Sequence, residues 1–261
     1  MPDQLIHIRK SSFLKIVLIV LGFHSFAVLS QESTEIDRQV WMNYSMTVPV
    51  SEHFSFGGDA GYRWDISGFN WNQILIRPTA NYRFNSTFRV AGALALFQTF
   101  NRNSNNLSEF RIHQDFNVNW PDFGVVRFFF RFRAEQRFFY SQNLPNAFNI
   151  RLRLLGGAQT RDLTFLGDKR PIYFKILFEG FVTLNRDRAT EIFINNTRTH
   201  FAFGHRLSRA WRYEVHYIRQ GSRLLSSDGF KISQDVFRLR VFHTLFEKES
   251  DLPELDEPDI E

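Results

Sequence analysis

Arginine side chains recur at alternate positions along one segment of this chain, and they are the residues whose chemistry is easiest to foresee. Residues 126–140 include Arg131, Arg133 and Arg137, with Glu135 among them. A guanidinium presents a planar set of N–H donors that pairs with carboxylates and also binds other oxyanions. The segment therefore predicts either an internal ion-pair network or a surface that attracts anions.

Histidine is the usual residue for acid–base chemistry near neutral pH, so a hydrolase must be weighed. A serine–histidine hydrolase needs the two side chains together, with a third group that orients the histidine. His200 and His216, on neighbouring predicted strands, are the best histidine pair, but no serine–histidine arrangement is recognisable. A lipid hydrolase is therefore the less favoured hypothesis, and no catalytic residue is predicted.

The sequence contains no recognisable motif for binding a metal or a cofactor. The chain has no cysteine, and it contains no HxH, HExxH or EF-hand pattern. Residues 57–58 and 156–157 are paired glycines inside predicted strands, and we expect bends or bulges there rather than phosphate loops. We predict neither a metal nor a cofactor.

The element that must position these side chains is a β-strand with two chemically opposite faces. In residues 126–140 the even positions are almost all apolar, and most odd positions are charged. A period of two indicates a strand, and fifteen residues exceed the usual strand length of about six. An apolar face that meets lipid and a polar face that meets a lumen are typical of a membrane β-barrel.

Alternation of this kind extends over most of the chain. We count eleven predicted strands, near residues 40–48, 54–64, 74–84, 88–100, 110–120, 126–140, 148–154, 172–179, 191–206, 210–220 and 232–246. Short and long connections alternate, except for a long one at residues 161–170, where a short turn is due. Because bacterial single-chain barrels have even strand numbers, we expect ten or twelve strands, with a twelfth in residues 31–37 or 161–170.

Two terminal segments fall outside the strand pattern. Residues 1–30 join basic residues to a short apolar run, which predicts a secretory signal peptide cleaved after Ser30; a membrane anchor helix is the alternative. Residues 247–261 carry eight acidic residues and one lysine, which predicts a disordered periplasmic tail that could dock on a partner or a basic surface. Residues 31–246 are the predicted barrel.

Composition agrees with a barrel of mixed faces. The chain contains 31 phenylalanines, yet its mean hydropathy is −0.28, because alternating faces cancel in any average. Residues 31–246 carry a net charge of +10, but the arginines follow strands rather than a helix or patch, so nucleic acid is not a predicted partner. Aromatic residues near predicted strand ends are expected to form interfacial girdles; they are Trp41, Trp64, Trp71, Trp120, Trp211, Tyr140 and Tyr217.

The order of several short motifs resembles the domain of unknown function 2490 family, whose bacterial members are expected to be outer-membrane barrels. The resemblance covers roughly residues 38–246. It rests on RFRAEQR at 131–137, RLR at 151–153, FEGF at 178–181, NTR at 196–198 and YEVHYIRQ at 213–220. The resemblance implies a fold and a location but no activity.

The sequence thus predicts an all-β, transmembrane, antiparallel up-and-down barrel of ten to twelve strands in the outer membrane of a Gram-negative bacterium. Its lumen is predicted to hold a charge network of Arg131, Arg133, Glu135, Arg137, Arg151, Arg153, Glu179, Arg198 and Glu214. One hypothesis is a structural or interaction barrel closed by salt bridges; the alternative is a narrow pore or cavity for small anionic solutes. Expected partners are outer-membrane lipid, lipopolysaccharide and the barrel-assembly machinery.

Overall fold

The computed structural model of the chain describes residues 36–142, 144–164, 171–184, 196–223 and 230–245. These residues form eleven strands: β1 (Asp37–Pro49), β2 (Phe54–Asp65), β3 (Trp71–Arg83), β4 (Phe88–Asn101), β5 (Leu107–Asn119), β6 (Val126–Ser141), β7 (Ala147–Thr160), β8 (Ile172–Thr183), β9 (Asn196–Arg206), β10 (Trp211–Arg223) and β11 (Phe230–Thr244). Within these ranges, no helix long and apolar enough to cross a membrane occurs.

The strands close into one barrel in which each strand pairs with its neighbours in the chain. Every consecutive pair is antiparallel, and the barrel closes by a parallel pairing of β1 with β11, from Asp37 opposite Gln234 to Thr47 opposite Thr244. An odd number of up-and-down strands leaves the first and last running the same way, so the closing pair must be parallel. The closure removes both sheet edges.

Side chains alternate between the two surfaces of the barrel wall. Odd-numbered residues point inward on β1 to β8, and even-numbered residues point inward on β9 to β11, as the buried Glu135 and Glu214 illustrate. Outward positions carry large apolar side chains that remain exposed, such as Ile76 at 56% and Leu154 at 61%. The wall is therefore apolar outside and largely polar inside.

Apolar side chains also fill parts of the interior. Phe129, Leu155 and Leu177 form one buried cluster, and Leu75 packs with Ala95 and Phe97 in another. The interior of the barrel therefore contains apolar clusters as well as charged side chains.

In each pair of glycines, neighbouring backbone or side-chain atoms come too close to the strand to leave room for a Cβ on at least one of the two residues. The strand ladders run through both pairs without a register shift, so the bulges expected there are not formed. A Cβ on Gly57 would lie 2.2 Å from the Met46 carbonyl oxygen, and one on Gly157 would lie 2.5 Å from the Phe129 ring. Gly58 adopts a φ of 143°, which side chains rarely tolerate.

The predicted fold class, an all-β barrel, is confirmed, and the eleven strands of the described residues equal the number read from the alternation. The even number expected of bacterial barrels is not met there, and the parallel closing pair is the departure from a wholly antiparallel barrel. At residues 161–164 the structure contains only an isolated bridge, Leu163 with Ile172. The predicted signal peptide at 1–30 and the acidic tail at 247–261 lie outside the described residues.

Candidate functional site

The charged residues predicted for the lumen all lie on inward positions of β6 to β10. Ion pairs join six of them into one network: Arg131, Arg133, Glu135, Arg151, Arg153 and Glu179. The other three have different partners. Arg137 pairs with Glu109, Arg198 with an amide, and Glu214 belongs to a separate cluster.

Two glutamates organise the central network. Glu179 accepts from Arg131 at 2.6 Å and from Arg153 at 2.7 Å. Glu135 accepts from Arg153 at 2.8 Å and from Arg151 Nε at 2.7 Å. Arg153 thus bridges the two carboxylates, and the five side chains form a continuous chain of charge-assisted hydrogen bonds across β6, β7 and β8.

Strand register explains why these groups meet. Glu135 on β6 lies directly opposite Arg151 on β7, and Asp115 on β5 lies directly opposite Arg133 on β6. Arg133 binds Asp115 through two parallel hydrogen bonds, each 2.6 Å long. Opposite charges at facing positions of adjacent strands stabilise a ladder locally.

The charged groups of the central network are almost completely buried, so their pairing matters for stability. Arg131 exposes 0% of its surface, and Glu135 and Glu179 each expose 1%. A buried charge is tolerated only when it is paired and hydrogen-bonded. Nε and Nη1 of Arg131 have no protein acceptor, so the network contains more donors than acceptors.

A second ion-pair group lies on β5 and β6. Glu109 accepts from both Arg111 and Arg137. The central network, Asp115 and this second group together contain four carboxylates and six arginines. The carboxylates are Glu109, Asp115, Glu135 and Glu179, and the arginines are Arg111, Arg131, Arg133, Arg137, Arg151 and Arg153. Glu109 and Asp115 were not among the residues predicted for the lumen network, although their odd positions on β5 place them on the inner face.

Glu214 forms a distinct cluster on β8 and β10. Its Oε1 accepts from the Tyr173 hydroxyl at 2.7 Å and from Lys175 Nζ at 2.6 Å, and its Oε2 lies 2.8 Å from His216 Nε2. The ring of His200 meets the ring of His216 edge to face at 6.2 Å. Both histidines are buried inside the barrel, and of this pair His216 has a carboxylate partner.

A third group combines arginines with aromatic rings. The guanidinium carbon of Arg63 lies 4.1 Å from the Trp41 ring centroid, and that of Arg198 lies 5.4 Å from the same centroid. Trp41, expected in the outer girdle, is 5% exposed and points inward, because its odd position on β1 faces the lumen. That expectation was wrong, since nearness to a strand end does not decide which face a residue occupies.

The fold and its interior define a class: a closed β-barrel with an apolar outer wall and an ion-paired lumen. A family model described as "Protein of unknown function (DUF2490)" matches residues 38–229. The chain belongs to this family.

One solved structure resembles the chain at low sequence identity. A crystal structure titled "NanC porin structure in rhombohedral crystal form" aligns over 69% of this chain and 86% of that chain, with 9% identity and a TM-score of 0.41. No curated protein matches the chain.

Proposed function

We propose that this protein is an outer-membrane β-barrel of a Gram-negative bacterium. The observation that carries the proposal is the outer wall, where side chains such as Leu96 and Phe178 are 60% and 58% exposed in the middle of strands. Soluble proteins seldom expose continuous apolar surface of this extent. The strands contain 11 to 16 residues, and a tilted membrane strand needs about nine to eleven.

Aromatic residues at the strand ends support the same placement. Trp120, Trp211 and Tyr140 are 59%, 38% and 46% exposed on the outer rims. Trp211 stacks on His243 with 3.8 Å between ring centroids, and Tyr44 hydrogen-bonds that histidine at 2.8 Å. Amphipathic rings favour the headgroup region, where one side meets lipid and the other meets water.

The connections suggest an orientation. One end of the barrel carries the three shortest connections, those of four residues after β1, β3 and β9, together with the longer ones after β5 and β7. We place this end in the periplasm, as in barrels of this kind. On that placement the tail at residues 247–261, which follows β11, begins on the periplasmic side, and export depends on the proposed signal peptide at residues 1–30.

Cell fractionation and gel migration test the location. We expect the protein in the outer-membrane fraction, and we expect the unheated form to migrate differently from the heated form, because a closed barrel resists detergent until it is boiled. A protein confined to the soluble periplasm, with migration indifferent to heating, would overturn the proposal.

We further infer that the barrel has a structural or interaction role and that its lumen is closed. Side chains lining an open channel would contact water, yet Arg131, Glu135, Glu179 and Glu214 expose at most 1% of their surfaces. The paired guanidinium and carboxylate groups point into the lumen, through which a solute would have to pass. The proposed partners are therefore outer-membrane lipid and lipopolysaccharide at the wall, and the barrel-assembly machinery during insertion.

A liposome-swelling assay tests the closed lumen. We expect liposomes containing the wild-type barrel to swell in isotonic arabinose no faster than empty liposomes. The Asp235→Asn variant, altered in an ion pair on the outer wall, serves as a control and is expected to behave in the same way. Swelling at the rate of a general porin reconstituted in parallel would contradict the proposal.

A further inference from the structure

We propose that an arginine–aromatic layer near the end of the barrel at which the even-numbered strands β2 to β10 finish binds a small oxyanion, a carboxylate or a phosphate, between Arg63 and Arg198. This layer comprises Arg63, Arg198 and the ring of Trp41. The inference goes beyond the proposed structural role of the barrel. It requires a folded barrel but not a conducting one.

The first observation is that neither guanidinium has a carboxylate partner among the described residues. Arg63 Nη1 donates to Gln73 Oε1 at 3.3 Å, and Arg198 Nε donates to Gln220 Oε1 at 2.6 Å. An amide oxygen accepts a hydrogen bond but leaves the positive charge uncompensated. The central arginines differ, because each of them contacts Asp115, Glu135 or Glu179.

The second observation is the electrostatic surroundings of the two arginines. The charged groups that act most strongly on Arg63 are four arginines, Arg238, Arg198, Arg111 and Arg77. Arg198 faces Glu179 across the β8–β9 ladder, but that carboxylate already accepts from Arg131 and Arg153. Arg77 and Arg111 are paired with Asp59 and Glu109, whereas Arg63 and Arg198 have no carboxylate partner among the described residues, so a bound anion would relieve the repulsion between these two.

The third observation is the geometry that the aromatic rings impose. Because Arg63 and Arg198 both lie over the Trp41 ring, their separation cannot exceed the sum of their distances to its centroid. Phe181 holds Arg198 from another side at 4.8 Å. One oxyanion can accept from two guanidiniums whose carbons are roughly 8 Å apart or less, a separation that this upper limit permits, and stacking on a ring leaves the N–H edges available to it.

Position in the strands gives the site an entrance. Arg63 lies two residues from the end of β2 at Asp65, next to the end of the barrel at which β2, β4, β6, β8 and β10 finish. Arg198 lies directly opposite Glu179 of the buried network. A ligand entering from that end meets Arg63 before the buried ion pairs around Glu179, which restricts the site to small anions.

Calorimetric titration of the folded, detergent-solubilised full-length barrel tests the proposal. The probes are inorganic phosphate and acetate, each added at constant ionic strength against a chloride background. We expect saturable binding of at least one probe, with an affinity at least tenfold lower in the Arg63→Gln/Arg198→Gln variant. The matched control is Arg38→Gln/Arg219→Gln, which removes two outward arginines from the same end and is expected to bind like wild type.

Fluorescence provides a second readout that does not depend on the arginine variant folding. We expect the saturating anion to change the tryptophan emission of the wild type, and we expect most of that change to vanish in Trp41→Phe. Absence of wild-type binding, equal loss in the outward control, or an undiminished fluorescence change in Trp41→Phe would each overturn the site. Gel migration of the unheated samples reports folding separately, so loss of the barrel is distinguishable from loss of the site.

Discussion

At the scale of single residues, several carboxylates in the interior each accept hydrogen bonds from more than one basic side chain, as Glu179 illustrates. Glu179 alone holds two guanidiniums, those of Arg131 and Arg153, and all three groups are largely hidden from water. Removing one partner of a buried pair leaves an uncompensated charge, and this costs far more than losing a pair on the surface. Loss of Glu179 would therefore leave two largely buried guanidiniums without their shared counter-charge.

Glu179→Gln should lower the free energy of unfolding by about 3–5 kcal/mol, because two arginines lose their shared counter-charge. Urea titration of the reconstituted barrel, followed by tryptophan fluorescence, measures the change. The control is Asp235→Asn on the outer wall, where Arg219 is 39% exposed and the asparagine oxygen can still accept from Tyr217 and Arg219, so the expected cost is below about 1 kcal/mol. Equal effects of the two variants would argue against a buried network.

Gly204 is a second residue whose identity follows from packing. A Cβ at this position would lie 2.1 Å from the Tyr173 ring, which donates its hydroxyl proton to Glu214. Gly204→Ala should therefore cost about 1–3 kcal/mol through overpacking, measured by the same urea titration. Gly180→Ala is the matched control, because nothing lies within 4 Å of its added Cβ, and it should be nearly neutral.

The mechanism assigned to Gly204 has its own check. If the cost arises from the Tyr173 ring, adding Tyr173→Leu to Gly204→Ala should give a double variant more stable than the sum of the single effects predicts. Strict additivity would show that the ring is not the obstacle.

At the scale of strands, one outward feature departs from the apolar wall. Gln114 on β5 and Gln136 on β6 exchange side-chain hydrogen bonds of 3.4 and 3.3 Å on the outer surface, near the middle of their strands. On the proposed lipid-facing wall the two amides would satisfy each other, so each would depend on its partner.

Substitution of this pair should be strongly non-additive. Gln114→Leu or Gln136→Leu alone should destabilise the reconstituted barrel by about 1–2 kcal/mol, because one amide is left unsatisfied in lipid. The double leucine variant should recover that loss or exceed wild-type stability. Urea unfolding in lipid vesicles measures all three variants, and a double variant less stable than either single one would contradict a lipid-facing position.

The strands were the part most readable from sequence, because alternation reports a face directly. Residues 126–140 were predicted as a strand, and β6 runs Val126–Ser141 with its arginines inward. The same alternation could have placed Trp41 inward, since its neighbours Val40 and Met42 occupy the outer face. Pairing between distant strands was not readable, because it depends on register and closure.

At the scale of the whole molecule, closure creates the features that no single strand contains. Arg63 on β2 and Arg198 on β9 share the Trp41 ring only because β1 joins β11. The parallel closing pair likewise follows from the strand number and from no local motif. The sequence therefore predicts the wall and its faces, whereas the grouping of charges into layers requires the closed barrel.

The central claim is that ion-paired side chains close the lumen of a membrane-inserted barrel. Ion conductance across a planar bilayer tests this claim most directly, with insertion reported by a pore-forming marker carried in the same proteoliposomes. We expect marker events without any additional stepwise conductance from the wild-type barrel. Stable, ohmic steps that accompany the protein and are absent from marker-only liposomes would contradict the account.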